Sequence, residues 1–125
     1  MKARVFYVHL TNAQTRIINH TDSGGWDSEL GREYMLARDG QSPNSYLYQL
    51  AAEVEAPEGY PEVVWSGMQN VLQPWIETPN NPNLTVLSVH TDFPRSMDVG
   101  DKIVWENGRV DVVASMGFKT MEMEN

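Results

Sequence analysis

Residues 102–113 read KIVWENGRVDVV, and they carry the strongest secondary-structure signal in this chain. Two runs of alternating, β-branched and aromatic residues flank the dipeptide Asn107-Gly108. Asn-Gly between such runs is the best short signal for a β-hairpin. The pattern therefore predicts a C-terminal hairpin that closes an apolar core together with the elements before it.

Four further segments are typical of β-strands. Residues 4–10 are apolar on both faces, which favours a strand that is buried on both sides, with His9 as a core histidine. Residues 46–55 alternate between an apolar face and a mostly polar face. Residues 84–89 follow a segment rich in turn residues, and residues 118–121 predict a short final strand.

Three segments predict helices. Residues 11–19 begin with Thr-Asn-Ala-Gln, the pattern of a capping box in which the Thr and Gln side chains satisfy each other's backbone amides. Asp27 is placed to cap a second helix, whose apolar residues recur at helical spacing up to Ala37. Residues 62–72 carry a third apolar stripe, which Pro74 ends.

Together these elements predict an α+β fold in a single compact domain over residues 1–121. We expect a mixed sheet of four to five strands, two to three helices and the C-terminal β-hairpin 102–113, with residues 122–125 as a frayed acidic tail. A strand at 46–55, a helix at 62–72 and a strand at 84–89 follow the order of a right-handed crossover, which would make those two strands parallel.

Composition and charge exclude several classes of protein. The chain has no cysteine, which rules out a disulfide scaffold, a thiolate zinc site and a thiol nucleophile. Its net charge of −8 opposes binding to the phosphate backbone of nucleic acid and to anionic membranes. The N-terminus lacks the pattern of a signal peptide, and no apolar run is long enough for a membrane span. We expect a cytoplasmic protein that binds neither nucleic acid nor membrane.

Two copies of one tripeptide are candidates for a catalytic or metal-binding site. His20-Thr21-Asp22 and His90-Thr91-Asp92 each place an imidazole and a carboxylate two residues apart, so the two arms together would offer four ligands. The sequences that flank the two copies differ, however, and Asp in a loop commonly makes local turn bonds. The familiar nucleotide-binding and hydrolase motifs are absent, so we expect no cofactor, and an enzyme is the less favoured interpretation.

The tryptophans offer two further interpretations. Trp26 follows Gly24-Gly25 at the expected start of the second helix, where free amides and stacking would suit a small anionic ligand, although a packing role explains it as well. Trp65, Trp75 and Trp105 are expected in or near the core. Two of them exposed on one patch would indicate a protein-binding surface.

The C-terminal part of the chain resembles a family marker. Residues 95–101 (RSMDVGD), the hairpin turn 107–109 (NGR) and residues 113–118 (VASMGF) are similar to the pattern R-S-x-S-V-G-D, hairpin, A-S-x-G-F. That pattern belongs to small YodL-like proteins of bacteriophages, plasmids and other mobile elements. Asp98 departs from it, since the family has serine there. The resemblance implies an accessory protein that acts in the host cytoplasm on a host component, and it implies no particular chemistry.

The leading hypothesis is a non-enzymatic binding protein of phage or mobile-element origin with an anti-defence role. It would sequester a nucleotide signal or inhibit a host protein. The nucleotide version needs basic side chains that converge on one cavity, and the candidate ligand-binding residues are Trp26, Arg32, Arg95, Ser96 and Arg109. The inhibitor version needs an exposed apolar or acidic patch.

Two alternatives stay open. One is a small hydrolase or metal-dependent enzyme that uses the paired residues His20, Asp22, His90 and Asp92. The other is a structural component that associates with itself, with a homodimer as its simplest form.

Overall fold

The computed structural model of the chain describes residues 1–20 and 25–122. Six strands of the described part form one sheet in the order β3-β2-β1-β4-β5-β6. They are β1 (Lys2–Val8), β2 (Tyr48–Glu55), β3 (Thr85–Val89), β4 (Lys102–Trp105), β5 (Arg109–Val113) and β6 (Phe118–Glu122). The helices are α1 (Asn12–Asn19), α2 (Glu29–Arg38) and α3 (Pro61–Gly67), and Gly25–Asp27 form one turn of 3₁₀ helix. The predicted α+β class is confirmed. Glu122, expected as the first residue of a frayed tail, is the last residue of β6, and residues 123–125 lie outside the described residues.

The predicted hairpin is present as β4 and β5, which pair antiparallel from Lys102↔Val112 to Val104↔Val110. The N–H of Gly108 donates to the carbonyl of Trp105 at 3.0 Å, and Gly108 has a φ of +92°. This geometry is a three-residue loop, in which a tight turn is followed by a left-handed residue. Glycine is the residue that adopts such a φ without strain, which explains the place of Gly108 in the loop.

The direction of β3 was predicted wrongly. β2 and β3 pair antiparallel, from Ala52↔Val89 to Glu55↔Thr85, so the sheet is antiparallel and not mixed. It also has six strands where four to five were expected. A parallel crossover needs the intervening segment to carry the chain back to the end of the sheet where the first strand began. Here α3 ends at Gly67, and residues 68–84 cover the core in irregular turns before the chain enters β3 from the end where β2 leaves.

β1 lies in the middle of the sheet, between β2 and β4. From it Ala3, Val5 and Tyr7 enter the main apolar core. Val8 packs with Ala37 of α2 in a second cluster. Burial on both sides is confirmed only at the end of the strand, where Tyr7 and Val8 are buried on opposite faces, whereas Arg4 is exposed. The strand spans Lys2–Val8 rather than 4–10.

His9 follows β1 rather than lying within it, and it is half-buried. Its ring stacks on the Phe93 ring with centroids 6.2 Å apart. His9 is therefore packed against an exposed aromatic residue at the end of the strand, and not in the core as expected.

The helix starts are local features that the sequence predicts well. At α1 the Thr11 hydroxyl accepts from the N–H of Gln14 at 3.1 Å, and the Gln14 side chain accepts from the N–H of Thr11 at 2.9 Å, which confirms the capping box. At α2 the cap is Ser28 and not Asp27, which lies in the 3₁₀ turn. Within residues 1–20 and 25–122 no helix is long and apolar enough to span a membrane.

Candidate protein-binding surface

Residues 95–101, the first part of the resemblance, fold into a buried ion pair. Asp101 is 0% exposed, and its carboxylate accepts two hydrogen bonds from the Arg95 guanidinium at 2.6 and 2.9 Å. The backbone N–H groups of Val8 and Asp98 donate to the same carboxylate at 2.9 and 2.8 Å. Four donors fill the acceptor positions of this carboxylate, which leaves it none for a metal ion or a substrate proton.

Arg95 also ties the segment to its surroundings. Its guanidinium lies 4.1 Å from the centre of the Tyr7 ring and donates to the carbonyl of Val8 at 3.0 Å. Its carbonyl accepts from the Tyr7 hydroxyl and from the Trp75 indole, both at 2.8 Å. Arg95, a candidate ligand-binding residue, is therefore engaged in contacts that hold β1 and the core together.

The pKa shifts in this network follow from burial and charge. Burial raises the pKa of the Asp101 carboxyl, and the Arg95 guanidinium and two backbone amides offset part of that rise. Burial lowers the pKa of Arg95, but the hydrogen bond and the charge of Asp101 outweigh this effect and raise it overall. Burial, with the Asp101 charge as the next cause, raises the pKa of Tyr7 and of Tyr48. The phenol groups of Tyr7 and Tyr48 therefore stay neutral to a higher pH than an exposed tyrosine does.

Two asparagines hold the loop that follows α3. The Asn70 side chain accepts from the N–H of Trp75 at 3.0 Å and donates to the carbonyl of Pro94 at 2.9 Å. The Asn80 side chain accepts from the N–H of Leu72 at 3.2 Å and donates to the carbonyls of Gln69 and Gln73. These contacts fix the backbone of residues 70–75 from both sides.

The fixed loop presents two aliphatic side chains to solvent. Val71 is 75% exposed and Leu72 is 84% exposed. We call this pair the apolar ridge. Adjacent aliphatic residues exposed to this degree on a backbone that is held in place are typical of an interaction surface, because burying them in a partner removes apolar area from water without first ordering the loop.

A groove of about 610 Å³ lies near the loop that carries the ridge. Residues 96–99 line it, together with Trp65 of α3 and residues 113–115, 117 and 118 around the β5–β6 turn, so both main parts of the family resemblance meet there. We call it the signature groove. Gln69, two residues before the ridge, also lines it, and the N–H of Asn70 donates to the Ser96 hydroxyl at 2.7 Å. The loop that carries the ridge therefore borders the groove at Gln69 and Asn70.

The groove is almost free of ionisable groups. Asp98 is the only Asp, Glu, His, Lys or Arg among the described residues that line it. Its carboxylate pairs with Arg38 at 2.9 Å. Burial alone would raise the pKa of Asp98, but the Arg38 hydrogen bond and the N–H of Val99 outweigh it and lower the pKa. The rest of the lining is apolar or neutral, and its Trp65 is 40% exposed.

The candidate ligand-binding residues Trp26, Arg32 and Arg109 do not line the signature groove. Trp26, exposed on the 3₁₀ turn, has its ring 5.9 Å from that of Tyr34, and Arg32 is exposed on α2. Arg109 pairs with the buried Asp111 at 3.1 Å, and the Trp105 indole donates to the same carboxylate at 2.8 Å. Ser96 is the one member of the predicted set that lines the signature groove.

The tryptophans divide between core and surface. Trp75 and Trp105 are buried, as expected, and Trp65 is 40% exposed. The ridge residues Val71 and Leu72 were assigned to the apolar stripe of a helix over residues 62–72, which ends at Gly67 in the structure. Since a buried and an exposed aliphatic residue look the same in a sequence, no local signal marks the ridge.

The paired tripeptides do not form an evident site. His90 lines a small pocket with His9 and Asp92, and its ring is 2.9 Å from the Ser88 hydroxyl. His20 is exposed at the C-terminal end of α1, and Asp22 lies outside the described residues. Across residues 1–20 and 25–122 there is no group of three or more His, Asp or Glu side chains placed to hold a metal ion.

Comparison of the chain with protein-family models, with curated proteins and with solved structures finds no match. The resemblance to YodL-like proteins therefore stays a prediction, and the functional reasoning depends on the geometry of the surface.

Proposed function

We propose that this protein is a non-enzymatic binding protein of phage or mobile-element origin, and that it inhibits a host protein by docking on it with the apolar ridge and the signature groove. The observation that carries the proposal is the exposure of Val71 and Leu72 on a loop that Asn70 and Asn80 hold in place. The partner that fits is a protein with an apolar pocket for the ridge and an apolar segment for the groove.

The charge of the groove favours a protein over a nucleotide signal. Phosphate recognition relies on Arg or Lys side chains that converge on the ligand. The described lining of the groove holds no such residue, while Arg95 and Arg109 are each bound to a different buried carboxylate. A phosphorylated ligand would therefore enter the groove without compensation for its charge.

The same groove gives little support to an enzyme. General acid–base catalysis needs a titratable group in reach of the substrate and free to exchange a proton. Asp98 is engaged with Arg38, and the buried carboxylate of Asp101, which does not line the groove, already accepts four hydrogen bonds. The arrangement favours recognition of an apolar surface.

The test starts from a photo-crosslinker at Ser115, an exposed residue in the groove lining. Host proteins that it captures are purified, and their affinity is measured for the wild type, for the double variant Val71→Ser/Leu72→Ser and for Trp26→Ser. We expect the double variant to weaken binding about 10- to 100-fold, since truncation of central apolar contacts typically costs 1–3 kcal/mol. Trp26→Ser, an exposed residue outside the groove, serves as the matched control.

Two results would contradict the proposal. One is equal affinity of the wild type and the double variant for every captured protein. The other is a saturable rise in melting temperature with cyclic dinucleotides or cyclic ADP-ribose, which would favour the nucleotide version. Because Val71 and Leu72 are exposed, their replacement leaves the melting temperature nearly unchanged, and a changed affinity is not a folding defect.

A further inference from the structure

The strand β3 forms one edge of the sheet, and β6 forms the other. In the described part of the chain β3 pairs only with β2. An edge strand leaves a row of backbone N–H and C=O groups that a strand of another chain can bind. Soluble proteins usually protect such an edge with charged side chains, with proline, with a β-bulge or by covering it.

The edge at β3 lacks charged side chains. Residues 83–91 contain no Asp, Glu, Lys or Arg, although such residues are 21% of the chain. At the opposite edge, Lys119 lies within β6. Leu87 and Val89 of β3 are 46% and 43% exposed, so apolar area accompanies the free backbone.

A β-bulge is the protective feature that β3 does carry. Ser88 pairs with Glu53 and Val86 pairs with Val54, so Leu87 is the extra residue that has no partner on β2. The extra residue of a bulge is left out of the ladder with its neighbouring strand. Leu87 is thus the point on the edge that contributes least to the sheet of its own chain.

We propose that β3 pairs antiparallel with β3 of a second copy of this chain, around a two-fold axis at Leu87. In this register Leu87 faces Leu87, Thr85 faces Val89 and Val86 faces Ser88, so only uncharged side chains oppose one another. The nearest acidic residue of the strand's C-terminal side, Asp92, falls opposite Pro82.

Charge explains why a second copy is the occupant. Two copies with a net charge of −8 each repel one another, and they approach most easily where neither carries charge. The residues of β3 themselves meet this condition, although the Glu53 carboxylate of β2 accepts a hydrogen bond from the Ser88 hydroxyl at 2.9 Å. A two-fold axis makes the contact closed, so that it ends at a dimer. The signature groove lies at the β5–β6 turn, toward the other edge of the sheet, so both grooves stay accessible in the dimer.

The absence of cysteine gives a direct test. Leu87→Cys places two thiols opposite each other on the axis, where cross-strand Cα distances of about 4.5–5.5 Å suit a disulfide. We expect mild oxidation to give a disulfide-linked dimer in high yield, and the control Met35→Cys, with its thiol exposed on α2 away from both proposed surfaces, to give little. Equal yields from the two variants, or a higher yield from Met35→Cys, would overturn the proposal.

Sedimentation of the unmodified chain provides the second measurement. We expect the wild type and the control Met35→Lys, which adds the same charge on α2, to associate reversibly as concentration rises. We expect Leu87→Lys to stay monomeric because it opposes two cations on the axis. A wild type that stays monomeric up to millimolar concentration would refute the dimer. Failure of the host-protein test would leave this result untouched, since the two surfaces are separate.

Discussion

The buried ion pair between Arg95 and Asp101 makes Asp101→Asn the most informative single substitution. The asparagine keeps the size of the side chain but removes its charge. It also turns one acceptor oxygen into an NH₂ group that faces donors, because the four partners of the carboxylate are all N–H groups. The substitution leaves Arg95 without its counterion and at least one backbone or guanidinium N–H unpaired.

The expected loss follows from burial. Removing one partner of a buried ion pair typically lowers the free energy of unfolding by about 3–5 kcal/mol. The Asp101 side chain is 0% exposed but that of Arg95 is 36% exposed, so water can solvate part of the abandoned guanidinium. We therefore expect a loss of about 3 kcal/mol, at the lower end of that range. For a domain of this size, that loss corresponds to a fall of about 12 °C in melting temperature.

Urea denaturation followed by circular dichroism measures the difference directly. Asp98→Asn is the matched control, because it makes the same change three residues away in an exposed pair with Arg38. Exposed pairs contribute about 0–1 kcal/mol, so the control should unfold close to the wild type. If Asp101→Asn and Asp98→Asn lose the same amount, the buried pair does not anchor the fold and the structural interpretation of residues 95–101 is wrong.

Two further predictions concern stability. The free energy of unfolding should fall as the pH rises above about 10, because Tyr7 and Tyr48 ionise near their ordinary pKa of 10.0 only when unfolded, whereas burial raises the pKa of both in the folded chain. In denaturation experiments between pH 9 and 11, we expect the free energy of unfolding to fall less steeply with pH for the double variant Tyr7→Phe/Tyr48→Phe than for the wild type, by up to about 2.7 kcal/mol per pH unit. Equal slopes for the two proteins would contradict the raised pKa of the two tyrosines. Gly100→Ala should destabilise the protein more than Gly108→Ala, although both glycines have a φ of +92°. A Cβ added at Gly100 would lie 2.5 Å from the carbonyl oxygen of Ala37, whereas a Cβ added at Gly108 would have no neighbour within 4 Å. We expect the free energy of unfolding, measured in urea, to fall by about 1 kcal/mol for Gly108→Ala, from backbone strain, and by at least about 3 kcal/mol for Gly100→Ala. Equal losses would show that the close contact between Gly100 and Ala37 does not add to the cost.

The candidate surface shows where inference from the sequence stops. Residues 95–101 and 113–118 stood out in the sequence, and the structure brings both to one groove. Yet Arg95 was predicted as a ligand-binding residue, and its partner Asp101 was not identified. The ion pair joins residues six apart in the chain, but its burial depends on Tyr7 and Val8, which come from the other end.

The ridge was missed for a related reason. Val71 and Leu72 continue the apolar stripe that predicts a helix, and a stripe does not reveal whether a core lies beside it. The hydrogen bonds from Asn70 and Asn80 that hold these residues at the surface involve carbonyls and amides of several turns. Such contacts exist only once residues 68–84 have folded against the core.

The sequence by itself determined the elements whose signals are local. The capping box at residues 11–14 and the hairpin around Asn107-Gly108 depend on side chains that act on backbone groups a few residues away, so they can be predicted without knowledge of the core. Only the tertiary structure decided the antiparallel direction of β3, the end of α3 at Gly67 and the exposure of the apolar ridge. Each of these depends on which distant residues occupy the neighbouring space: Leu84, for example, leaves no room for a side chain at Gly67.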